Sequence, residues 1–311
     1  MSLDRLIEKI EQTQNPSVAG LDPKLAYVPE FIKEKCFEKY GETLKGAAKA
    51  LLEFNKGLID ALYDIVPAVK PQAAYYEMYG PAGVKTFYKT QEYARSKGMY
   101  VITDGKRNDI GTTMEAYAAA HLGKVQVGSQ TYEPFLGDAL TVNGYLGSDG
   151  IKPLVATCRD NDKGIFVLVK TSNPSSGELQ DKKIDGVTIY ETMGHMCEEW
   201  GKELPGVYGY SGVGAVVGAT YPEQLKYLRE KLPTTFFLIP GYGAQGAGAK
   251  DIAGAFDKNG LGGIVNSSRG IMCAYQKEKC DEHEFAEAAR REAIRMRDEI
   301  MGIVGKISIS K

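Results

Sequence analysis

Eight short apolar segments, each followed by a helical pattern, leave this chain of 311 residues few ways to fold. The strand candidates are Ser17–Leu21, Ile65–Lys70, Met99–Lys106, Ala139–Asn143, Gly164–Lys170, Ala215–Ala219, Thr235–Pro240 and Gly262–Ser267. Helical patterns fall between them, near Gly46–Tyr63, Pro81–Ser96, Thr112–Leu122, Asp149–Arg159, Val187–Lys202, Pro222–Lys231, Ala247–Phe256 and Glu282–Met301. Each places apolar residues three and four apart, as in Leu225, Leu228 and Leu232. Near-continuous apolar strands alternating with helices mean a parallel sheet covered on both faces. Eight such units in an α/β chain of this length predict a (β/α)8 TIM barrel. A doubly wound open sheet is the alternative, but no G-x-G-x-x-G follows the first strand. We expect one barrel domain over residues 1–311, with two insertions, near 23–45 and near 172–186. Gly302 to Lys311 reads as a short tail of little functional weight.

Composition removes several function classes. A net charge of −2 leaves no basic footprint for nucleic acid. The five cysteines include no C-x-x-C pair, which suits reduced thiols in the cytoplasm and argues against a zinc cage. Met1-Ser-Leu-Asp-Arg-Leu6 reads as the start of an amphipathic helix rather than a signal peptide. Nowhere is there an uncharged apolar run of membrane length. The three histidines, His121, His195 and His283, have no catalytic setting, so proton chemistry falls to Lys, Asp or Glu.

In a barrel of this kind the reactive groups sit where strands end and loops begin. The third strand runs through Val101, Ile102 and Thr103 into Asp104, Lys106 and, beyond its end, Asp109. If the strand continues through Asp104 and Lys106, their i, i+2 spacing points both to one face. A carboxylate and an ammonium buried together are costly unless they are paired or do chemistry. Lys70 ends the second strand, so the strand ends carry Lys70, Asp104, Lys106 and Asp109 with alternating sign. Solvated strand ends would be polar without that alternation. The seventh and eighth strands end in Gly241-Tyr-Gly-Ala-Gln-Gly-Ala-Gly248 and in Arg269. Glycines let backbone N–H groups turn onto an anion, and arginine adds a bidentate donor, so a phosphate site is expected there.

These residues resemble the orotidine 5′-monophosphate decarboxylases, in their longer bacterial form. The most specific element is Asp-x-Lys-x-x-Asp, here Asp104-Gly-Lys106-Arg-Asn-Asp109, followed by Ile110-Gly-Thr-Thr113. Gly20-Leu-Asp22, Val69-Lys70-Pro71, Lys170-Thr-Ser-Asn-Pro174 and Pro240-Gly-Tyr-Gly-Ala-Gln245 are similar to the family's other strand ends. The resemblance implies cofactor-free and metal-free decarboxylation of orotidine 5′-monophosphate to UMP in pyrimidine biosynthesis. It makes Lys106 the proton donor to pyrimidine C6 and Asp104 the carboxylate facing the substrate's own. Lys70 would hold Asp104 and a ribose hydroxyl. Asp22 becomes a ribose contact and Ser172 a pyrimidine contact, with Pro240 also at the substrate. Gln245 and Arg269 become phosphate ligands, with Tyr242 a second donor in the same loop. Asp109 and Thr113 would reach the ribose in a neighbouring subunit, which implies a homodimer with shared active sites.

Two rival readings remain at this point. One is a Mg²⁺-dependent sugar-phosphate decarboxylase or synthase, because Asp-x-Lys-x-x-Asp is common to that superfamily. Those relatives need an acidic metal ligand near the end of strand two, where this chain has Lys70. Sensitivity to EDTA would separate the two. The other is a catalytically silent nucleotide-binding barrel, which would have no need of an ammonium between carboxylates.

Overall fold

The structure, a computed structural model, describes residues 2–243 and 246–309. Eight parallel strands close into a barrel: β1 (Ser17–Leu21), β2 (Ala68–Pro71), β3 (Tyr100–Arg107), β4 (Ala139–Val142), β5 (Gly164–Lys170), β6 (Val213–Val217), β7 (Phe237–Ile239) and β8 (Gly263–Ser267). Each pairs with its sequence neighbours, and β8 pairs with β1. The predicted (β/α)8 barrel is therefore the observed fold.

Strand alternation explains the apolar runs. Val18, Ala68, Ile102, Ala139, Phe166, Val216, Leu238 and Ile264 fill the barrel interior. Their neighbours Ala19, Val69, Val101, Leu140, Val167, Phe237 and Val265 face the helices. With both faces buried, the strands carry no polar alternation to interrupt them.

The barrel helices are α1 (Leu44–Leu62), α2 (Gly80–Ser96), α3 (Gly111–His121), α4 (Ser148–Asn161), α5 (Ile189–Gly201), α6 (Pro222–Lys231), α7 (Ala249–Ile252) and α8 (Phe285–Val304). Thr43 caps α1 by accepting the N–H of Gly46, and Thr188 caps α5 by accepting that of Glu191. The helix expected over Ala247–Phe256 is only one turn of α7 and a 3-10 turn at Ala253–Ala255. Gly246, Gly248 and Gly254 weaken it, since glycine loses the most backbone freedom on ordering.

The N-terminal helix, Ser2–Thr13, plugs the barrel end opposite the strand C-termini with Leu3, Leu6, Ile7 and Ile10. Burying side chains of this size contributes about 1.5–3 kcal/mol each. Ile307 joins that plug, and its N–H donates to the Gln14 side chain while Ile309 N–H donates to Glu11. The C-terminal tail thus has a packing role, carried by Ile307 and Ile309, that the sequence reading did not assign to it.

Both insertions are structured. The first contains a helix, Glu30–Tyr40, whose leading N–H groups from Glu30 and Phe31 donate to Glu282. The second forms a 3-10 turn, Pro174–Glu178, and a small hairpin of Lys183–Ile184 with Val187–Thr188. A second hairpin, Val125–Val127 with Gln130–Tyr132, was not expected from the sequence; no residue of its two strands is buried, so no burial pattern marks them.

Candidate active site

Asp104 reaches inward from β3 and is almost fully buried. Lys70 donates to its Oδ2 at 2.5 Å, Lys106 to its Oδ1 at 2.6 Å, and Thr141 of β4 to Oδ1 at 2.8 Å. Burial alone would raise this carboxyl. The charges of Lys70 and Lys106, with their hydrogen bonds, outweigh it and hold Asp104 far below the usual carboxylate range. Burial likewise pushes Lys70 down, but the charges of Asp104 and Asp22 more than offset it and keep the ammonium above its ordinary value. Asp104 and Lys70 are therefore held ionised at neutral pH as a paired buried charge, not neutralised by proton transfer.

Asp104 and Lys106 do face each other, but not by the strand alternation that their spacing suggested. The β3–β4 register shifts between Thr103 and Arg107, and Lys106 takes a left-handed backbone with φ of 47°. Non-glycine residues rarely adopt that region, and such strain gathers at functional positions. The Lys106 N–H donates to Thr141 Oγ1 at 3.1 Å, which helps hold the turn. The sequence also placed Lys106 between two carboxylates. Among the described residues it pairs with Asp104 alone, and Asp109 folds back to accept the N–H of Ile110 at 2.7 Å.

A cavity opens over this cluster at the strand C-termini, in two lobes that share Lys70, Asp104, Lys106 and Pro240. The first lobe, about 400 Å³, is charged and polar; Asp22, Gln72, Asn266, Tyr242 and Arg269 line it. The second, about 430 Å³, has an apolar wall of Leu168, Val216 and Leu238 facing Ser172 and Gln180. One lobe suits a sugar phosphate and the other a flat ring with a few polar edges.

Of the residues singled out from sequence, Asp22, Lys70, Asp104, Lys106, Pro240 and Arg269 meet in the first lobe, and Ser172 joins them through the second. Asp22 Oδ1 is buried without a protein partner, as an atom awaiting a ligand hydroxyl would be. Arg269 is exposed at the start of a short helix, with no carboxylate paired to it among the described residues. Gly241 and Gly243 take φ of 101° and 71°, so the loop needs glycine at both. Tyr242 lines the lobe, but its hydroxyl donates to Glu299 at 2.6 Å and is not a free phosphate donor. Gln245 lies outside the described residues. Asp109 and Thr113 line neither lobe of their own chain's cavity.

Several lining residues escaped the sequence reading. Thr141 is an inward-facing strand residue between Leu140 and Val142, so nothing local marks it, and Asn266 reads as one more polar residue of the Asn266-Ser-Ser strand end. Lys24 and Tyr27 come from the first insertion, and Tyr75 from the segment after β2. Lys170 is different: it appeared at a strand end but carried no role. Its side chain is 0% exposed, and its ammonium donates to Ser176 Oγ at 3.1 Å and to Asp181 Oδ1 at 2.7 Å, under the Tyr221 ring at 4.6 Å. Gln180 clasps Thr171 through both its N–H and its hydroxyl. A Cβ added at Gly218 would lie 2.9 Å from the Ser172 Cβ, so that glycine lets the loop seat against β6. Together these tie the loop carrying Ser172 and Gln180 to the barrel.

Lys170→Met should therefore loosen that loop without unfolding the barrel, since Asp181, the charge left unpaired, is 41% exposed and stays hydrated. We expect kcat/KM to fall by about 10–100-fold through misplacement, with faster proteolytic cleavage within 173–186. An unchanged kcat/KM would remove Lys170 from the positioning role.

Comparison with known proteins agrees with this geometry. The family model described as orotidine 5′-phosphate decarboxylase / HUMPS matches residues 42–281. An orotidine 5′-phosphate decarboxylase from Rhodopirellula baltica is 44% identical over 297 residues, covering 94% of this chain and 96% of that protein. One from Caldicellulosiruptor bescii is 43% identical over 273 residues, covering 88% and 90%. The structure of Leishmania donovani OMP decarboxylase superposes with a TM-score of 0.72 at 29% identity, covering 96% of this chain and 99% of that one. With its barrel, its Lys70–Asp104–Lys106 cluster and these relatives in agreement, the chain belongs to the orotidine 5′-phosphate decarboxylase / HUMPS family.

Proposed function

We propose that this protein decarboxylates orotidine 5′-monophosphate to UMP, the step its relatives' names describe, with Lys106 as the proton donor. The observation that carries the reading is the Lys70–Asp104–Lys106 chain of ion pairs at the junction of a polar and an apolar lobe. The pyrimidine ring would lie in the apolar lobe by Ser172, and the ribose phosphate would run past Asp22 and Lys70 to Arg269 and Gln245. Pro240, common to both lobes, would pack against the ring. The C6–carboxylate bond breaks, its electron pair stays on C6, and CO₂ departs. Lys106 Nζ then delivers its proton to C6 and is reprotonated from water. A preorganised ammonium stabilises the carbanion where it develops. Asp104, ionised beside the substrate carboxylate, adds repulsion that the loss of CO₂ relieves. Every group needed is a side chain or the substrate, so the step calls for no cofactor or metal.

The rest of the reading follows the same residues. We take the whole chain as one barrel domain, with the two insertions adding Lys24 and Tyr27, and Ser172 and Gln180, to its mouth. We take the enzyme as a homodimer with shared active sites. The support is that Asp109 and Thr113 lie outside their own cavity, with exposed Ile110 next to Asp109 in sequence and exposed Leu146 meeting it around Gly150. A cytoplasmic setting is supported by five cysteines that are all free thiols. Among the described residues no helix is long and apolar enough to cross a membrane.

The direct test is incubation with orotidine 5′-monophosphate and loss of its ultraviolet absorbance; no turnover would end the reading. Arg269→Ala tests its geometry. A charge-assisted hydrogen bond to phosphate contributes about 1.5–3 kcal/mol, so KM for the nucleotide should rise at least about tenfold. The phosphate-free nucleoside orotidine should react at nearly its wild-type rate. Equal losses for both substrates would place Arg269 elsewhere in the mechanism.

A further inference from the structure

A second cavity, a groove of about 820 Å³, lies on the barrel flank between α1 and α2 and shares no residue with the proposed active site. Lys45, Lys49 and Lys56 of α1 line one side and Lys85 and Lys89 of α2 the other. One carboxylate, Glu92, lines it, and that is held by Lys89 at 2.7 Å. Lys45, Lys49, Lys56 and Lys85 form no ion pair with a carboxylate among the described residues.

This concentration of charge works against the fold. The chain as a whole has a net charge of −2, so the groove is not part of a generally basic surface. Lys45/Lys49 and Lys85/Lys89 are like-charge pairs at i, i+4, which destabilise a helix. Lys45 also lies in the first turn of α1, where the helix dipole disfavours a cation and favours an anion. The groove nevertheless holds its lysines in place. Lys45 and Lys49 rest on the Tyr40 ring of the insertion helix at 5.2 and 5.8 Å, and Lys56 rests on Tyr93 at 5.3 Å. Ala48, Leu52, Ala82 and Thr86 complete the lining with small or uncharged side chains. Lys45 and Lys56 are eleven residues apart, about 16 Å along the helix axis.

We propose that this groove is a second binding site, for a small linear polyanion of the oligophosphate class. Lysine binds phosphate as a point charge on a flexible stem, and four unpaired ammonium groups in two facing rows match a short chain of phosphoryl charges. The aromatic rings are covered by ammonium groups rather than offered to bases, which separates the site from a single-stranded nucleic-acid platform.

The test is calorimetric titration of sodium tripolyphosphate into protein already saturated with UMP, so that the barrel mouth is filled, at about 50 mM salt where screening is weak. Three proteins are compared: wild type, Lys45→Gln/Lys85→Gln, and a control with Lys152→Gln/Lys231→Gln, both exposed and remote from the groove. The groove variant should bind at least about tenfold more weakly, the loss of one or two charge-assisted bonds. The control should match wild type, and both variants should keep wild-type turnover, which also confirms that they fold. Because the comparison is between two lysine pairs, it holds whatever occupies the barrel mouth. Absence of tripolyphosphate binding to wild type, or an equal loss in both variants, overturns the proposal. A homopolymeric RNA that binds the groove more tightly than tripolyphosphate also overturns it and assigns the lysines to nucleic acid.

Discussion

Lys106→Ala should lower kcat by at least about 10²–10⁴, the usual contribution of a positioned proton donor, while UMP still binds. The side chain is 46% exposed and pairs with Asp104, which keeps Lys70 and Thr141 as partners. Loss of fold is therefore not expected, and thermal unfolding should stay close to wild type. The left-handed backbone adds a second arm. Lys106→Gly should be as inactive as Lys106→Ala yet more stable than it by about 1–2 kcal/mol, because glycine relieves the strain at φ of 47°. Activity within a few-fold of wild type in either variant would take the proton-donor role away from Lys106. Equal stability of the two would mean that the turn relaxes when the ammonium is gone.

The second large effect concerns subunits. Asp109 leaves β3 two residues after its end, and its carboxylate accepts its own Ile110 N–H rather than facing its own cavity. If each chain lends Asp109 to the partner's site, a C2 dimer makes the exchange reciprocal. Lys106→Ala and Asp109→Ala should each be inactive alone. A mixed dimer then has one site with both lesions and one with neither. Random mixing makes about half the dimers mixed, each with one good site, so about a quarter of wild-type activity should return. Mixed and refolded subunits that remain as inactive as their parents would mean that Asp109 serves its own chain. The exposed Ile110 and Leu146 beside it mark the face to follow by cross-linking in the same experiment.

Much of this was readable in one dimension because the governing rules are local. Ser17–Leu21, Gly164–Lys170 and Pro222–Lys231 coincide residue for residue with observed elements. The strands are buried on both faces and so read as unbroken apolar runs. α6 is buried on one face, and its leucines fall three and four apart. The barrel itself then fixes which side chains converge, since the polar residue closing each strand must lie at the same mouth. Hence Lys70, Asp104, Lys106, Asp22 and Arg269 group together from sequence alone, although they span most of the chain.

What tertiary structure alone decided depends on packing between distant segments. Thr141 is 37 residues from Asp104, and only the β3–β4 register brings its hydroxyl to that carboxylate. The left-handed turn at Lys106 is set by that same register shift, whereas strand alternation alone would leave it extended. Lys170 reads as one more strand-end charge until Asp181, Ser176 and two tyrosines enclose it. The insertion helix Glu30–Tyr40 buries only Ile32 and Cys36, too few apolar positions for its period to be seen, and it is held instead through Glu282, some 250 residues away. Local periodicity determined the elements and the end of the barrel where the chemistry sits. Long-range hydrogen bonds and backbone strain, which no window of sequence contains, decided how the charges meet there.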